Sequence, residues 1–153
     1  MRLSEIMSSP VETIEAGETA EVAWRRMLSK GIHHLVVTRN GRPVGVLSAR
    51  DLSGPRGVAL RWAGTTEELM SPKVVFATAA TPVREAASLL RGRNIGCLPV
   101  LEGRTVVGIV TLTDLIELVA SGFEGRARPR RGPRAAAGPR RSPSRRRPRS
   151  FLG

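Results

Sequence analysis

Asp51 stands three residues after Ser48, and Asp114 three residues after Thr111, each inside the string Gly-apolar-apolar-Ser/Thr-x-x-Asp. A hydroxyl residue followed three positions on by an acid marks a helix start, with the hydroxyl as cap and the carboxylate in the first turn near the positive end of the dipole. Such a corner offers hydrogen-bond acceptors and a hydroxyl; it is not a nucleophile. The two histidines, His33 and His34, are adjacent at the start of a predicted strand and must point to opposite faces, so at most one can turn into a cleft. Cys97 is the single cysteine. It can form no intramolecular disulfide, belongs to no cysteine cluster, and reads as a small buried hydrophobe. No nucleophile–base pattern, no metal-spaced cluster and no glycine-rich phosphate loop is found, so neither catalytic nor metal-ligating residues are expected.

The elements that position these corners occur twice. Displaced by 63 residues, segment 3–52 lies over 66–115 without a gap, with identities at Glu5/Glu68, Met7/Met70, Val11/Val74, Ala23/Ala86, Ile32/Ile95, Leu35/Leu98, Gly45/Gly108, Asp51/Asp114 and Leu52/Leu115. A repeat seen twice predicts two units facing each other across one core, and no solenoid. Each unit reads as a short extended stretch (Val11–Ile14; Val74–Ala77), a helix, two strands and a closing helix. Thr19 is the expected cap of the first helix; Thr81 caps the second, with Pro82 at its first position. Gly31 and Asn94 end these helices in the left-handed conformation. The strands His34–Thr38 and Pro43–Leu47, then Cys97–Leu101 and Thr105–Val110, are joined by Asn-Gly and Gly-Arg hairpin turns. In the first unit Gly54-Pro55 cuts the closing helix short. The expected organisation is α+β: residues 1–60 as one unit with a linker to about 65, 66–121 as the second, and 122–153 as a tail.

The tail is compositionally separate. Residues 122–153 hold eleven Arg against one acid, Glu124, a local net of +10 out of the chain's +12, so the first 121 residues carry only +2. With five prolines and few apolar residues, this segment is expected to be disordered and able to bind polyanions such as nucleic-acid backbones through residues 126–149 without sequence preference. A solvated extension without a partner is the competing reading. The opening MRLSEIMSSPVETIEAGE has acids and polar residues where a signal peptide needs an apolar run, and no stretch approaches the ~20 apolar residues that cross a bilayer. A soluble cytoplasmic protein with no membrane span is expected.

The duplicated units, with Gly45-Val46-Leu47-Ser48-Ala49-Arg50-Asp51-Leu52, its partner Gly108-Ile109-Val110-Thr111-Leu112-Thr113-Asp114-Leu115, and Ile95-Gly96-Cys97-Leu98-Pro99-Val100, resemble paired cystathionine-β-synthase (CBS) domains, the Bateman module. The resemblance spans about residues 3–120 and departs at Val36, where the family often has proline. It implies a regulatory, non-catalytic pair packed about a pseudo-twofold axis, with two clefts for adenine nucleotides (AMP, ADP, ATP) or S-adenosylmethionine. In the first, Asp51 would take the ribose and Ser48 the phosphate side, helped by exposed helix N–H groups. His33, His34 and Arg50 would add contacts to phosphate, as basic residues do in the family's kinase-regulating members, and Met70, Lys73, Val75 and Ile95 would surround the base. In the second, Asp114 and Thr111 play those parts with Met7, Glu12, Ile32, Gly96 and Cys97. The charge in the first cleft makes it the expected tighter site. The resemblance further implies a homodimer formed through helices and a regulated partner protein that the sequence does not identify; Trp24 and Trp62 are candidates for a dimer face or for surface packing.

Overall fold

The computed structural model describes residues 1–122; the arginine-rich tail, and with it the expectation of disorder there, lies outside the described residues. The first unit contains β1 (Thr13–Glu15), α1 (Ala20–Lys30), β2 (His34–Arg39), β3 (Arg42–Ser48) and α2 (Ala49–Ser53). After it come α3 (Pro55–Leu60) and α4 (Thr66–Leu69), and then β4 (Ala77–Thr78), α5 (Val83–Arg93), β5 (Cys97–Glu102), β6 (Thr105–Thr111) and α6 (Leu112–Ala120). Each unit forms a three-stranded sheet, β1-β2-β3 and β4-β5-β6, with the first pair parallel and the second antiparallel. Register slips fall at Val37/Thr38 and at Val100/Leu101, the same position in both copies. The hairpins close on two residues: Asn40 and Gly41 both have positive φ (53° and 74°), the I′ pattern that suits strand twist, whereas only Gly103 (62°) does so in the second turn.

The hydrophobic interior is two cores, where one was expected. Leu35, Val37 and Leu47 pack with Ala23, Met27 and Leu52 in the first. Leu98, Val100 and Val110 pack with Ala86, Leu90, Leu115 and Leu118 in the second. Alternation along β2 explains the division: Leu35 and Val37 face their own helices, while Val36 is fully buried but belongs to neither core, and Pro99 is its repeat counterpart. His34 lies on the Val36 side of the sheet.

The units exchange their leading segments. Leu3 and Ile6 sit in the second core, whereas Leu69 and Met70 join the first. Paired backbone bonds seal the exchange: Ser8 N–H to the Ile109 carbonyl at 2.9 Å and back at 3.1 Å, Ser71 N–H to the Val46 carbonyl at 2.8 Å and back at 3.1 Å. Met7 and Met70 then rest directly on Gly108 and Gly45, positions where a Cβ would meet the thioether.

Three local expectations change. Helix α5 starts at Val83 with Pro82 in the cap position, because the Thr81 hydroxyl turns back to accept the Thr78 N–H (3.0 Å) and Val83 N–H goes to the Met1 carbonyl. Residues 53–65, expected as a plain linker, contain α3, started by Pro55 at its first turn. Helix α3 lies so close to α2 that a Cβ on Gly57 would overlap the Asp51 carbonyl oxygen and lie 2.6 Å from that of Leu52. The extended stretches begin later than expected, at Thr13 and Ala77. Thr19, Gly31 and Asn94 do cap as expected: the Thr19 hydroxyl accepts the Val22 N–H, and Gly31 and Asn94 are left-handed.

Candidate functional site

Both acidic corners form reciprocal capping boxes. Asp51 Oδ2 accepts the Ser48 N–H and the Ser48 hydroxyl, each at 2.8 Å, and Ser48 Oγ accepts the Asp51 N–H at 3.1 Å. Asp114 Oδ2 does the same for Thr111 (2.7 and 2.9 Å), with the return bond at 3.3 Å. Only Oδ2 of each carboxylate enters the box, and both acids are half-buried. A capping box satisfies two orphan donors at the helix start and contributes about 1 kcal/mol.

The helix starts are less open than the sequence suggested. The Ala49 N–H goes to the His33 carbonyl (2.8 Å) and the Leu112 N–H to the Gly96 carbonyl (3.0 Å). With the Asp51 and Asp114 amides engaged by the caps, the expectation of a row of exposed helix amides for a phosphate does not hold. What these bonds do is tie the approach to β2 to α2 and the approach to β5 to α6.

The segments leading into β2 and β5 meet across the pseudo-twofold axis. His34 pairs in register with Ser48, and Cys97 with Thr111. The His34 imidazole reaches the other unit: a Cβ on Gly96 would lie 3.3 Å from Nε2. Around this junction runs a groove of about 810 Å³ lined by His33, His34, Ser48, Arg50, Ile95 and Gly96, with Trp24 and Leu28 on its wall. Its size is that of a small-molecule site.

Five residues expected for the Asp51 cleft, His33, His34, Ser48, Arg50 and Ile95, share this groove, and Asp51 is bonded directly to one of them. Both histidines line it, where at most one was expected, because β2 begins at His34 and strand alternation does not govern His33. Met70, Lys73 and Val75 are elsewhere: Met70 rests on Gly45, Lys73 is exposed, and Val75 packs against the second core. From the Asp114 set, Ile32 and Gly96 line the same groove, because residues 32–34 and 94–96 come together there. Met7 covers Gly108, Thr111 and Asp114 form their box, and Cys97 is buried. Glu12 pairs with Lys30 at 3.0 Å, and its carbonyl takes the Val36 N–H. Leu28, Asn94 and Leu112 also line the groove and were not anticipated from the sequence. Leu112, Ile116 and Val119 form an exposed stripe on α6, at 52%, 60% and 62% exposure, and their i, i+4, i+7 spacing was the available signal.

Charge around the junction is uneven. Burial, followed by the neighbouring His33, pulls the His34 pKa below its ordinary 6.5; Asp51 and Asp114 pull it upward and Arg50 downward. Burial, with Asp51 adding to it, pushes the Cys97 thiol up to about 12, which leaves it a neutral, unreactive group. Trp24 is covered by Arg61, whose guanidinium sits 4.5 Å from the ring centre, and Arg61 also donates to the Leu52 carbonyl at 3.1 Å. Trp24 is thus tied to the α2–α3 junction, while Trp62 is 75% exposed. Among the described residues, no group of His, Cys, Asp or Glu could hold a metal ion, and no helix is long and apolar enough to cross a membrane.

Comparison with known proteins bears on the same residues. The family model of the CBS domain matches residues 3–54 and 67–121. A CBS domain-containing protein of Dictyostelium discoideum is 31% identical over 136 residues, covering 80% of this chain and 93% of that protein. A homoserine O-acetyltransferase of Methanohalobium evestigatum is 34% identical over 119 residues, and there the match covers 76% of this chain but 24% of the relative, so the chain spans about a quarter of that enzyme's length. The solved CBS domain pair of protein MJ0100, in complex with 5′-methylthioadenosine and S-adenosyl-L-methionine, superposes with a TM-score of 0.73 at 28% identity, covering 80% of this chain and 98% of that one.

Proposed function

The chain belongs to the CBS-domain family, a regulatory and non-catalytic fold, and from that premise we propose that it senses an adenine nucleotide (AMP, ADP or ATP) in the groove beside Asp51 and relays occupancy to a partner protein. The observation that carries this reading is the gathering of His33, His34, Ser48 and Arg50 around one groove. A hydroxyl, an arginine and two imidazoles suit a phosphate, and the Asp51 carboxylate keeps Oδ1 outside its box for a ribose hydroxyl. Ile95 and Ile32 supply apolar surface for a base. The MJ0100 pair, with its two adenosyl ligands, supports the adenosine part of the proposal; S-adenosylmethionine is the alternative ligand.

The division into residues 1–60, a linker to about 65, and 66–121 belongs to this proposal, as does a cytoplasmic homodimer. The exposed stripe Leu112, Ile116 and Val119, together with Leu28 (64% exposed), which lines the groove with Leu112, supports a helix-mediated dimer. A second reading is favoured by composition: eleven Arg in residues 122–153 suit nucleic-acid backbone binding, with the folded pair as a scaffold. A thermal-shift panel of AMP, ADP, ATP and S-adenosylmethionine tests the first reading. A ligand at ~100 times its dissociation constant adds about 2.7 kcal/mol of stability. No shift with any of the four, together with nucleic-acid binding lost on truncation after Gly122, would replace the first reading with the second.

A further inference from the structure

His34 occupies a position unlike that of any other titratable side chain among the described residues. It opens β2 on the side of the sheet that carries Val36, reaches Gly96 of the other unit, pairs in register with Ser48 and lines the groove. The charged groups facing it come from every element at the junction: His33 from the residue just before β2, Arg50 and Asp51 from α2, and Asp114 from α6. Cys97, from β5, keeps its proton throughout the range in which an imidazole titrates. No side-chain hydrogen bond among the described residues holds either ring nitrogen.

Resting on the nucleotide reading above, we propose that His34 couples the groove to pH: its imidazole takes up a proton from solvent when a phosphate monoester enters beside Ser48 and Arg50. The physical basis is a balance of opposing fields. Burial and the neighbouring His33 and Arg50 disfavour the imidazolium, while the two carboxylates favour it. A phosphate adds one to two negative charges at the groove and offsets the positive charge of Arg50, which tips the balance toward protonation. The second unit cannot supply the same coupling, since Gly96 and Cys97 replace the histidine pair. Gly96 contributes by being small: any side chain there would press on the ring.

Proton linkage makes the sign definite. The ligand-bound form carries the extra proton, so affinity for AMP rises as pH falls, by up to about ten-fold per pH unit for one coupled proton. Titration calorimetry with AMP, in buffers of different ionisation heat near neutral pH, counts the protons taken up. AMP's own phosphate titrates near pH ~6, so the quantity of interest is the difference between the wild type and His34→Gln. The expected result is greater uptake and a steeper pH dependence in the wild type, reduced in His34→Gln and also in Gly96→Ala, which crowds the imidazole. With adenosine in place of AMP, the difference disappears. Equal uptake in wild type and His34→Gln, with AMP still bound, overturns the coupling alone. Absence of AMP binding at every pH overturns the nucleotide reading and the coupling with it.

Discussion

The two units have the same bulge position, the same reciprocal capping box and the same methionine seated on a glycine, yet they diverge where the chain runs into their central strands. There the first unit carries His33 and His34, and the second Gly96 and Cys97. Core positions such as Leu35 and Leu98 are enclosed by neighbours that the duplication also copies, so close packing holds both to one shape. The strand starts border a groove and belong to neither core, so the shared core packing does not hold the two copies to one side chain there. This fold therefore separates a symmetric scaffold from an asymmetric junction.

Equivalent core truncations are the strongest way to break that comparison. Leu35→Ala and Leu98→Ala, both at fully buried positions, should each cost about 2–5 kcal/mol in chemical denaturation. A mild loss for only one of them would mean that the two cores are not equivalent. Gly57→Ala sharpens it from the other side. Its Cβ would meet α2 backbone carbonyls, and Ala120 stands at the matching place in the second unit. A loss of about 1–3 kcal/mol is expected, measured as a shift in denaturation midpoint. Ser48→Ala and Thr111→Ala remove the two caps, and each should cost about 1 kcal/mol.

The smallest effects come from pH, and they have opposite signs in the two units. The His34 pKa lies below 6.5 in the folded chain, so its contribution is fully present above that pH and is lost as pH falls. Cys97 is raised from 9.0 to about 12, so the folded state keeps a proton that the unfolded chain releases, and stability is lost as pH rises above about 9. His34→Leu should flatten the acid limb of a stability–pH curve, and Cys97→Ala the alkaline limb. A curve in which His34→Leu leaves the acid limb unchanged would remove His34 from this balance.

Much of this was legible from residue order. The 63-residue offset implied the paired sheets, and Thr19, Gly31, Asn94, Ser48 and Thr111 cap as their types require. The offset maps Thr19 onto Pro82, so the misplaced cap at Thr81 was correctable from the repeat itself. Helix α3 was hidden because Gly54-Pro55 signals both a stop and a new start. Leu3, Ile6, Leu69 and Met70 could not be assigned across units from a linear pattern, since apolar residues announce burial and not the partner. The linear pattern likewise did not show the gathering of residues 32–34 with 94–96, because it depends on how two sheets meet; only the family resemblance grouped Ile95 with His33 and His34, and Ile32 with Gly96.

If the junction's asymmetry makes the Asp51 side the working nucleotide site, the two carboxylates must differ in their effect on binding. Titration calorimetry of AMP into the wild type, Asp51→Ala and Asp114→Ala tests this most directly, with each variant's folding checked by its denaturation midpoint. Asp51→Ala is predicted to weaken binding at least ~10-fold, the loss of one charged hydrogen-bond acceptor, while Asp114→Ala loses much less. The reverse order, with Asp114→Ala the damaged variant, would contradict it.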